Sequence, residues 1–211
     1  ATMAAKGPLS GSGKYYMGAA GNSSYGYFGT GYGPSDSRVD RLDYSSDTTQ
    51  ASLKGPLSSG KGFYGATGSN SYGYYGGGAP GGPGSTVDRI DYSNDTASYA
   101  AMSNLPNAYM KLTATSAQDN GQPSSPTGDR IRGTLATTTS LGPAYAYVAG
   151  GFPGPNTIID RIDYNNDTAT ATPKGNLSSA KGWGEATGNK SYAYAGGGSP
   201  NGTKVDRIDY G

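Results

Sequence analysis

VDRIDY, which occupies Val87–Tyr92, is the stretch that decides the fold, because it returns three more times along the chain. The other copies read VDRLDY from Val39, IDRIDY from Ile159 and VDRIDY from Val205. Each copy lies in a longer shared frame, such as KGPLSSGKGFYGATGSNSYGYYGGG from Lys54. Self-similarity at a period of tens of residues is typical of architectures built from repeated supersecondary units. The unit is about one β-meander long, so we expect an array of such meanders.

The spacing of the copies leaves two unit counts open. Equivalent aspartates are 48 residues apart from Asp40 to Asp88 and 46 apart from Asp160 to Asp206, but 72 residues separate Asp88 from Asp160. The long interval contains a further echo, GDRIRGTL. We favour four complete units and a fifth, degenerate unit that runs roughly from Ser103 to Ile131. The alternative is a plain insertion into a chain of four units.

Composition indicates an all-β chain with a thin, aromatic core. Leu, Ile, Val and Phe make up only 22 of 211 residues, yet the net charge of +1 does not support disorder by charge repulsion. The 19 tyrosines supply apolar area, since a tyrosine ring buries well where its hydroxyl finds a partner. The 37 glycines and 13 prolines disfavour helices. Residues 1–211 are expected to form a single domain, because no linker of distinct composition separates the units.

Within one unit the side chains alternate with a period of two. In SYAYAGGG, Tyr192 and Tyr194 fall on one side of a strand and Ala193 falls on the other. VDRIDY predicts a second strand with a charged stripe, and the polar residues of the following SNDTA favour a tight turn. With ATG before the tyrosine strand and ASLKGPL after the turn, the unit becomes four short antiparallel strands, which is the make-up of a propeller blade.

These features resemble the kelch repeat over nearly the whole chain. Gly65 to Gly68 resembles its small-residue inner strand, Tyr72 to Gly78 its aromatic strand ending in glycines, and Val87 to Asp91 its third strand. The chain departs from the family in the outer strand, which usually carries Trp and here has Ala97 or Ala169. The resemblance implies a kelch-like β-propeller of four-stranded antiparallel blades, with five blades favoured and four blades plus an insertion as the alternative. The strings STVDRIDYSNDT and KGPLSS also resemble repeats in tail-fibre-type virion proteins of marine cyanophages.

The two ends of the chain predict how the ring closes. The last VDRIDY is followed by Gly211 alone, whereas ATMAAKGPLS at the N-terminus resembles the continuation of a unit. We therefore expect Ala1 to Lys6 to form the outer strand of the last blade, which removes an exposed sheet edge.

Catalysis is disfavoured by the composition. The chain has no His and no Cys, so it lacks the commonest general base and metal ligand as well as a thiol nucleophile. We expect a non-enzymatic protein without a cofactor or metal, in which turn carboxylates such as Asp91 and Asp95 form turns rather than bind calcium. An Asp-Arg pair recurs in every unit and is interpreted as structural, since catalytic sites are usually singular. The pairs are Asp40 with Arg41, Asp88 with Arg89, Asp160 with Arg161, and Asp206 with Arg207.

The candidate binding site is the propeller face that carries two kinds of turn, from strand two to three and from strand four to one. Lysines followed by aromatic residues recur in the second kind, where rings suit stacking on sugars and lysines can steer anionic polymers. The alternative is that these rings pack between blades. The candidate ligand-binding residues are Lys14, Tyr16, Lys61, Phe63, Lys181 and Trp183, with Tyr109 as the equivalent in the degenerate unit.

Three functions follow from this pattern. Variable Gly, Pro and Ser loops on a stable scaffold favour an extracellular or virion-associated adhesin that binds a cell-surface polysaccharide or protein receptor. A structural subunit of an extracellular fibre or virion appendage is the first alternative, with other subunits or further copies of itself as partners. A kelch-type protein-interaction adaptor is the second. Nucleic acid is not expected as a partner because no basic stripe is present, and no apolar run approaches the roughly 20 residues that span a bilayer.

Overall fold

Four antiparallel sheets make up the protein and are arranged as a β-propeller. A computed structural model describes residues 3–11, 15–29, 31, 37–78, 82–116, 144–152, 154–189, 191–200 and 202–210. Within these residues, a single 3-10 turn over Tyr44–Ser46 is the one helical element. The all-β class and the propeller architecture expected from the repeats are therefore confirmed.

The strands follow one another in chain order within each sheet. Blade 1 contains β1 (Ala19–Gly21), β2 (Tyr25–Gly29), β3 (Val39–Asp43) and β4 (Ser52–Lys54). Blade 2 contains β5 (Gly65–Gly68), β6 (Tyr72–Gly76), β7 (Gly84–Asp91) and β8 (Ala100–Tyr109). Blade 3 contains β9 (Thr113–Ser116), β10 (Tyr145–Ala149), β11 (Asn156–Asp163) and β12 (Thr172–Gly182). Blade 4 contains β13 (Glu185–Gly188), β14 (Tyr192–Gly196) and β16 (Val205–Asp209), while the short β15 (Ser199–Pro200) pairs with the end of β12.

One register pairs the second and third strands of all four blades. The directly opposed residues are Tyr27 and Arg41, Tyr74 and Arg89, Tyr147 and Arg161, and Tyr194 and Arg207. Opposed side chains share a face of the sheet, so each arginine lies beside the tyrosines of the neighbouring strand. In every blade its guanidinium carbon lies 4.0–4.7 Å from the ring centroid of the first tyrosine of that strand. The aspartate before each arginine points to the opposite face.

The SNDTA-type segments form the turns that their side chains predict. The Oδ1 atoms of Asp43, Asp91 and Asp163 accept the N–H groups of Ser45, Ser93 and Asn165, each at 2.9 Å. The kelch resemblance placed Ala97 and Ala169 in the outer strands, and this prediction is wrong. Their N–H groups donate to the carbonyls of Asn94 and Asn166 and close the turn, so the outer strands begin only at Ala100 and Thr172.

The core lies between the blades, and tyrosine is the most frequent residue among its buried hydrophobic side chains. Stacked ring pairs join neighbouring blades, with centroids 4.8 Å apart for Tyr27 and Tyr92, 4.8 Å for Tyr74 and Tyr164, and 5.0 Å for Tyr147 and Tyr210. The hydroxyl of Tyr27 donates to Asp95 at 2.9 Å, and that of Tyr74 donates to Asp167 at 2.9 Å. Burial, reinforced by Asp95, raises the pKa of Tyr27. These hydroxyls are satisfied, so the rings can supply the apolar area that aliphatic residues do not.

The expectation of five blades is wrong, since the described residues form four sheets. Ser103 to Tyr109 belongs to the outer strand of blade 2, and Thr113–Ser116 is the inner strand of blade 3. The chain leaves blade 3 after Ser116 and returns to pair with it at Ala146. The connection between β9 and β10 is 28 residues long, residues 117–144, whereas residues 69–71 form the three-residue turn of blade 2. The 25 extra residues account for the interval of 72, because 72 minus 25 gives 47. The GDRIRGTL echo lies outside the described residues.

Ring closure by Ala1 to Lys6 stays a prediction. Blade 4 has three strands, and the described residues 3–6 belong to none. The residues that follow support ring closure. Gly7 N–H donates to Asp47 O, and Ala51 N–H donates to Pro8 O. The same two bonds occur between blades 1 and 2, from Gly55 N–H to Asp95 O and from Tyr99 N–H to Pro56 O. The outward face of blade 4 is open, with Val205 65% and Tyr194 37% exposed.

Candidate functional site

One residue just before the inner strand of each blade has a left-handed backbone although it is not glycine. The four residues and their φ angles are Tyr16 at 57°, Phe63 at 61°, Lys111 at 59° and Trp183 at 67°. Such a conformation is unfavourable by about 1–3 kcal/mol for a residue with a Cβ atom. Backbone strain at one position of every repeat persists where the surrounding structure fixes it, and it is typical of functional sites. We call these four residues the mouth layer.

Backbone hydrogen bonds join the mouth layer from blade to blade. Phe63 N–H donates to Tyr16 O at 3.1 Å, Lys111 N–H to Phe63 O at 2.5 Å, and Trp183 N–H to Lys111 O at 3.1 Å. The inner strands that follow these residues lie next to one another about the propeller axis. The hydrogen bonds therefore hold the four side chains together at one end of that axis and explain how the left-handed backbone is maintained.

The side chains of the mouth layer form an aromatic cluster. Ring centroids are 4.1 Å apart for Tyr16 and Phe63, 6.1 Å for Tyr16 and Trp183, and 6.3 Å for Phe63 and Trp183. Phe152, in the turn from β10 to β11, adds a ring 6.2 Å from Trp183. The turns from strand two to three and from strand four to one therefore meet on one face, as expected.

Lys111 is the member of this cluster that the sequence interpretation missed. Its Nζ lies 3.8 Å from the ring centroid of Trp183, 4.7 Å from that of Phe152 and 5.5 Å from that of Phe63. Its ammonium makes no ion pair with any described residue. Aromatic faces attract a cation electrostatically without using its N–H donors. Alignment on the inner strands, with TATS after Leu112 and GATG after Tyr64, would have placed Lys111 at the position of Phe63.

The cluster borders an open cavity of about 140 Å³. Its lining includes Tyr16, Phe63, Lys111, Trp183 and Glu185, the first residue of β13. Trp183 is 45% exposed and Tyr16 is 46% exposed, so both rings are accessible from solvent. The cavity combines aromatic surface with one ammonium and one carboxylate.

Two of the candidate lysines lie inside the protein instead. Lys61 Nζ is 2.9 Å from Asp88 Oδ2 and Lys181 Nζ is 3.5 Å from Asp206 Oδ2, with both lysine side chains almost fully buried. Burial opposes ionisation of Asp206, but the hydrogen bonds from Ser178 and the charge of Lys181 prevail and lower its pKa. We call Lys61, Tyr109 and Lys181 the inner layer, since each lies two residues before a member of the mouth layer. Lys14 lies outside the described residues.

The pairing of the outer strands shows why Tyr109 belongs to the inner layer. Tyr109 pairs with Gly84, four residues before Asp88, just as Lys181 pairs with Asn156, four residues before Asp160. Tyr109 is buried and therefore occupies the position of a lysine, while Lys111 occupies that of an aromatic residue. The two residue types are transposed in this repeat. The structure thus places Lys111, and not Tyr109, with Phe63 and Trp183.

The transposition leaves the buried carboxylate of Asp160 without a lysine partner. It is equivalent to Asp88, which is contacted by Lys61 and accepts a 2.5 Å hydrogen bond from Ser58. Tyr109, which stands where Lys61 stands in the preceding repeat, interacts electrostatically with Asp160 but supplies no positive charge. Pro106 occupies the sequence position of Ser58 and has no hydroxyl group to donate. Asp160 is 2% exposed, and its Oδ1 has no hydrogen-bond partner among the described residues. Burial raises the pKa of Asp160 from 3.8 to about 6.

The arginines of the repeated pairs connect neighbouring blades. Arg41 NH1 lies 2.7 Å from Asp95 of blade 2, and Arg89 NH1 lies 2.6 Å from Asp167 of blade 3. These contacts use the turn carboxylates of the next blade. No group of three acidic residues suited to a metal ion occurs in the described ranges.

No model of a known protein family matches this chain, and no curated protein matches it significantly in sequence. Among the described residues there is no helix with the length and apolar character needed to cross a membrane.

Proposed function

We propose that the protein is a non-enzymatic, extracellular or virion-associated recognition module that binds a cell-surface glycan at the mouth layer. The observation that carries the proposal is the convergence of four strained, non-glycine residues on one accessible aromatic cavity. Exposed aromatic rings next to polar groups suit the mixed apolar and hydroxylated surface of a sugar. The kelch-like and cyanophage-like character of the repeats belongs to this proposal and agrees with a propeller that presents loops outside a cell.

Trp183→Ala tests the proposal on intact host cells or a glycan array. Loss of one stacking ring is expected to weaken retention about five- to thirty-fold, which corresponds to roughly 1–2 kcal/mol. Tyr194→Ala is the matched control, because Tyr194 is exposed on the same blade but lies outside the cavity. Equal retention of both variants and the parent protein would count against a glycan site at the mouth layer.

A structural subunit of a fibre or virion appendage is the second candidate, and the open face of blade 4 favours it. Val205 and Tyr194 are exposed there, whereas their equivalents Val87 and Tyr74 are buried between blades. An exposed apolar face of this kind is typical of an interaction surface. For this candidate, Tyr194→Ala, and not Trp183→Ala, is expected to reduce self-association measured by sedimentation.

A further inference from the structure

We infer that the cavity at the mouth layer selects acidic sugar units, meaning rings that carry a carboxylate or a sulfate ester, and this inference rests on the proposed glycan-binding function. Three groups in one cavity carry it: the ammonium of Lys111, the carboxylate of Glu185 and the exposed rings of Tyr16 and Trp183.

Lys111 provides the charge that an acidic group needs. Its Nζ is held by the faces of Trp183, Phe152 and Phe63 and by no carboxylate of the described residues. A lysine ammonium has three N–H donors, and contact with ring faces leaves them available. The lysines of the inner layer cannot serve in this way, because Lys61 and Lys181 are buried against Asp88 and Asp206. Lys111 is thus a fixed ammonium at an accessible surface, and no residue in the described part of the chain uses its N–H donors.

Glu185 sets the orientation of the sugar. It lines the same cavity but forms no ion pair with Lys111. A carboxylate accepts hydrogen bonds from sugar hydroxyls and repels an anionic group placed beside it. The acidic substituent therefore belongs at the Lys111 end and the hydroxyl groups at the Glu185 end.

The size of the cavity limits the ligand to about one ring. The cavity volume of about 140 Å³ is smaller than the pockets of about 300–1,000 Å³ that enclose drug-sized ligands. The remainder of a polysaccharide would lie outside, over the exposed rings of Tyr16 and Trp183.

The test compares polymers that differ only in charge. Oligogalacturonate is titrated into the intact protein beside its methyl-esterified form, and dextran sulfate is titrated beside dextran, with the emission of the single Trp183 as readout. We expect the acidic member of at least one pair to bind about ten-fold or more tightly than its neutral partner, and the preference to shrink as salt is raised. Preference in the first pair identifies a carboxylate, and preference in the second identifies a sulfate ester.

Three variants assign the preference to the cavity. Lys111→Met should remove most of it, Lys111→Arg should keep it because the charge is retained, and Glu185→Gln should strengthen binding of the acidic polymer. Equal binding of acidic and neutral polymers by the parent protein, or an undiminished preference in Lys111→Met, overturns the acidic class but leaves a glycan site intact. Absence of binding to all four polymers, together with glycan-array retention that depends on Trp183, also overturns it. Failure of the glycan function itself would appear as array retention independent of Trp183.

Discussion

The inner layer and the mouth layer lie two residues apart in the sequence, yet one is interior and the other is surface. Lys61 and Lys181 are buried in ion pairs, whereas Trp183 is 45% exposed and borders a cavity. The same lysine-aromatic pattern therefore contains a structural half and a candidate functional half. The difference shows that a charged residue in a repeated motif cannot be assigned to a binding face until the carboxylates of the neighbouring strand are placed.

One repeat makes the comparison sharper, because it exchanges the residue types of the inner and mouth positions. Tyr109 fills the inner position and Lys111 the mouth position ahead of blade 3. The exchange has two linked effects: Asp160 is left buried without an ammonium, and the mouth layer gains its one lysine. An unfavourable interior carboxylate and an available surface charge thus come from a single change in the repeat.

The largest expected effect is at the inner layer. Lys61→Met leaves Asp88 buried without its ammonium, and breaking one partner of a buried pair typically destabilises by about 3–5 kcal/mol. Urea denaturation should show this loss in the midpoint. The double variant Lys61→Met with Asp88→Asn should recover much of the stability, because no unpaired charge then remains. An unchanged midpoint in Lys61→Met would contradict an interior, structural lysine.

The same substitution is expected to have opposite signs at Asp160 and Asp88. The folded-state pKa of Asp160, about 6, lies above its usual value of 3.8, so the folded state holds an extra proton between these values. The ionisation of Asp160 therefore lowers the free energy of unfolding as pH rises from about 4 to 6. The loss is roughly 3 kcal/mol, since each pKa unit of difference corresponds to about 1.36 kcal/mol. Asp160→Asn should stabilise at pH 7 by about 1–3 kcal/mol, since the buried amide offsets part of the gain.

Asp88→Asn should instead destabilise at pH 7, because it leaves Lys61 buried with its charge unpaired. Unfolding curves of the parent and both variants between pH 4 and 8 provide the comparison, since the difference curves cancel the other carboxylates. A parent protein whose pH dependence equals that of Asp160→Asn would show that Asp160 ionises normally and has a partner.

Arg89 and Arg207 extend the comparison to a partly buried and an exposed position. Arg89 pairs with Asp167 and lies over Tyr72, whereas Arg207 lies over Tyr192 and is exposed. Arg89→Ala is expected to destabilise by about 2 kcal/mol, because the pair is only partly buried. Arg207→Ala should change stability by less than about 0.5 kcal/mol. Equal losses in thermal or urea unfolding would show that blade 4 is packed as closely as blade 2.

The smallest effect is expected from shortening the connection between β9 and β10. Replacing residues 117–143 by Ser-Asn, after the short turn of blade 2, should leave the four sheets intact. Shortening the connection from 28 to three residues lowers the entropic cost of closing it by up to about 2 kcal/mol, so stability should rise slightly or stay constant. Loss of cooperative unfolding in circular dichroism would show that the segment is needed for the propeller and is more than an insertion.

Much of the propeller could be predicted from the sequence, because period-two tyrosines and Asx-rich turns act locally. The strand Gly65–Gly68 and the turn after Asp91 are found where the pattern places them. The number of blades could not be predicted, because the GDRIRGTL echo resembles part of a unit in sequence but does not indicate which strands pair. The inner layer escaped prediction because its residues were assigned to a turn, whereas Tyr109 and Lys181 lie at the ends of the outer strands β8 and β12. Lys111 was missed because an aromatic residue was expected, and Tyr109 lies only two positions away.

The most direct test of a ligand-binding mouth layer is iodide quenching of Trp183, the single tryptophan, with and without a candidate glycan. We predict efficient quenching in the free protein, because the ring is 45% exposed and the Lys111 ammonium, 3.8 Å from its centroid, attracts the anion. In the Lys111→Met variant, iodide should quench the fluorescence of Trp183 less efficiently. A bound glycan should protect the ring from iodide and shift its emission. A tryptophan that iodide cannot reach, with an emission that no glycan changes, would contradict the account and identify the aromatic rings as packing between blades.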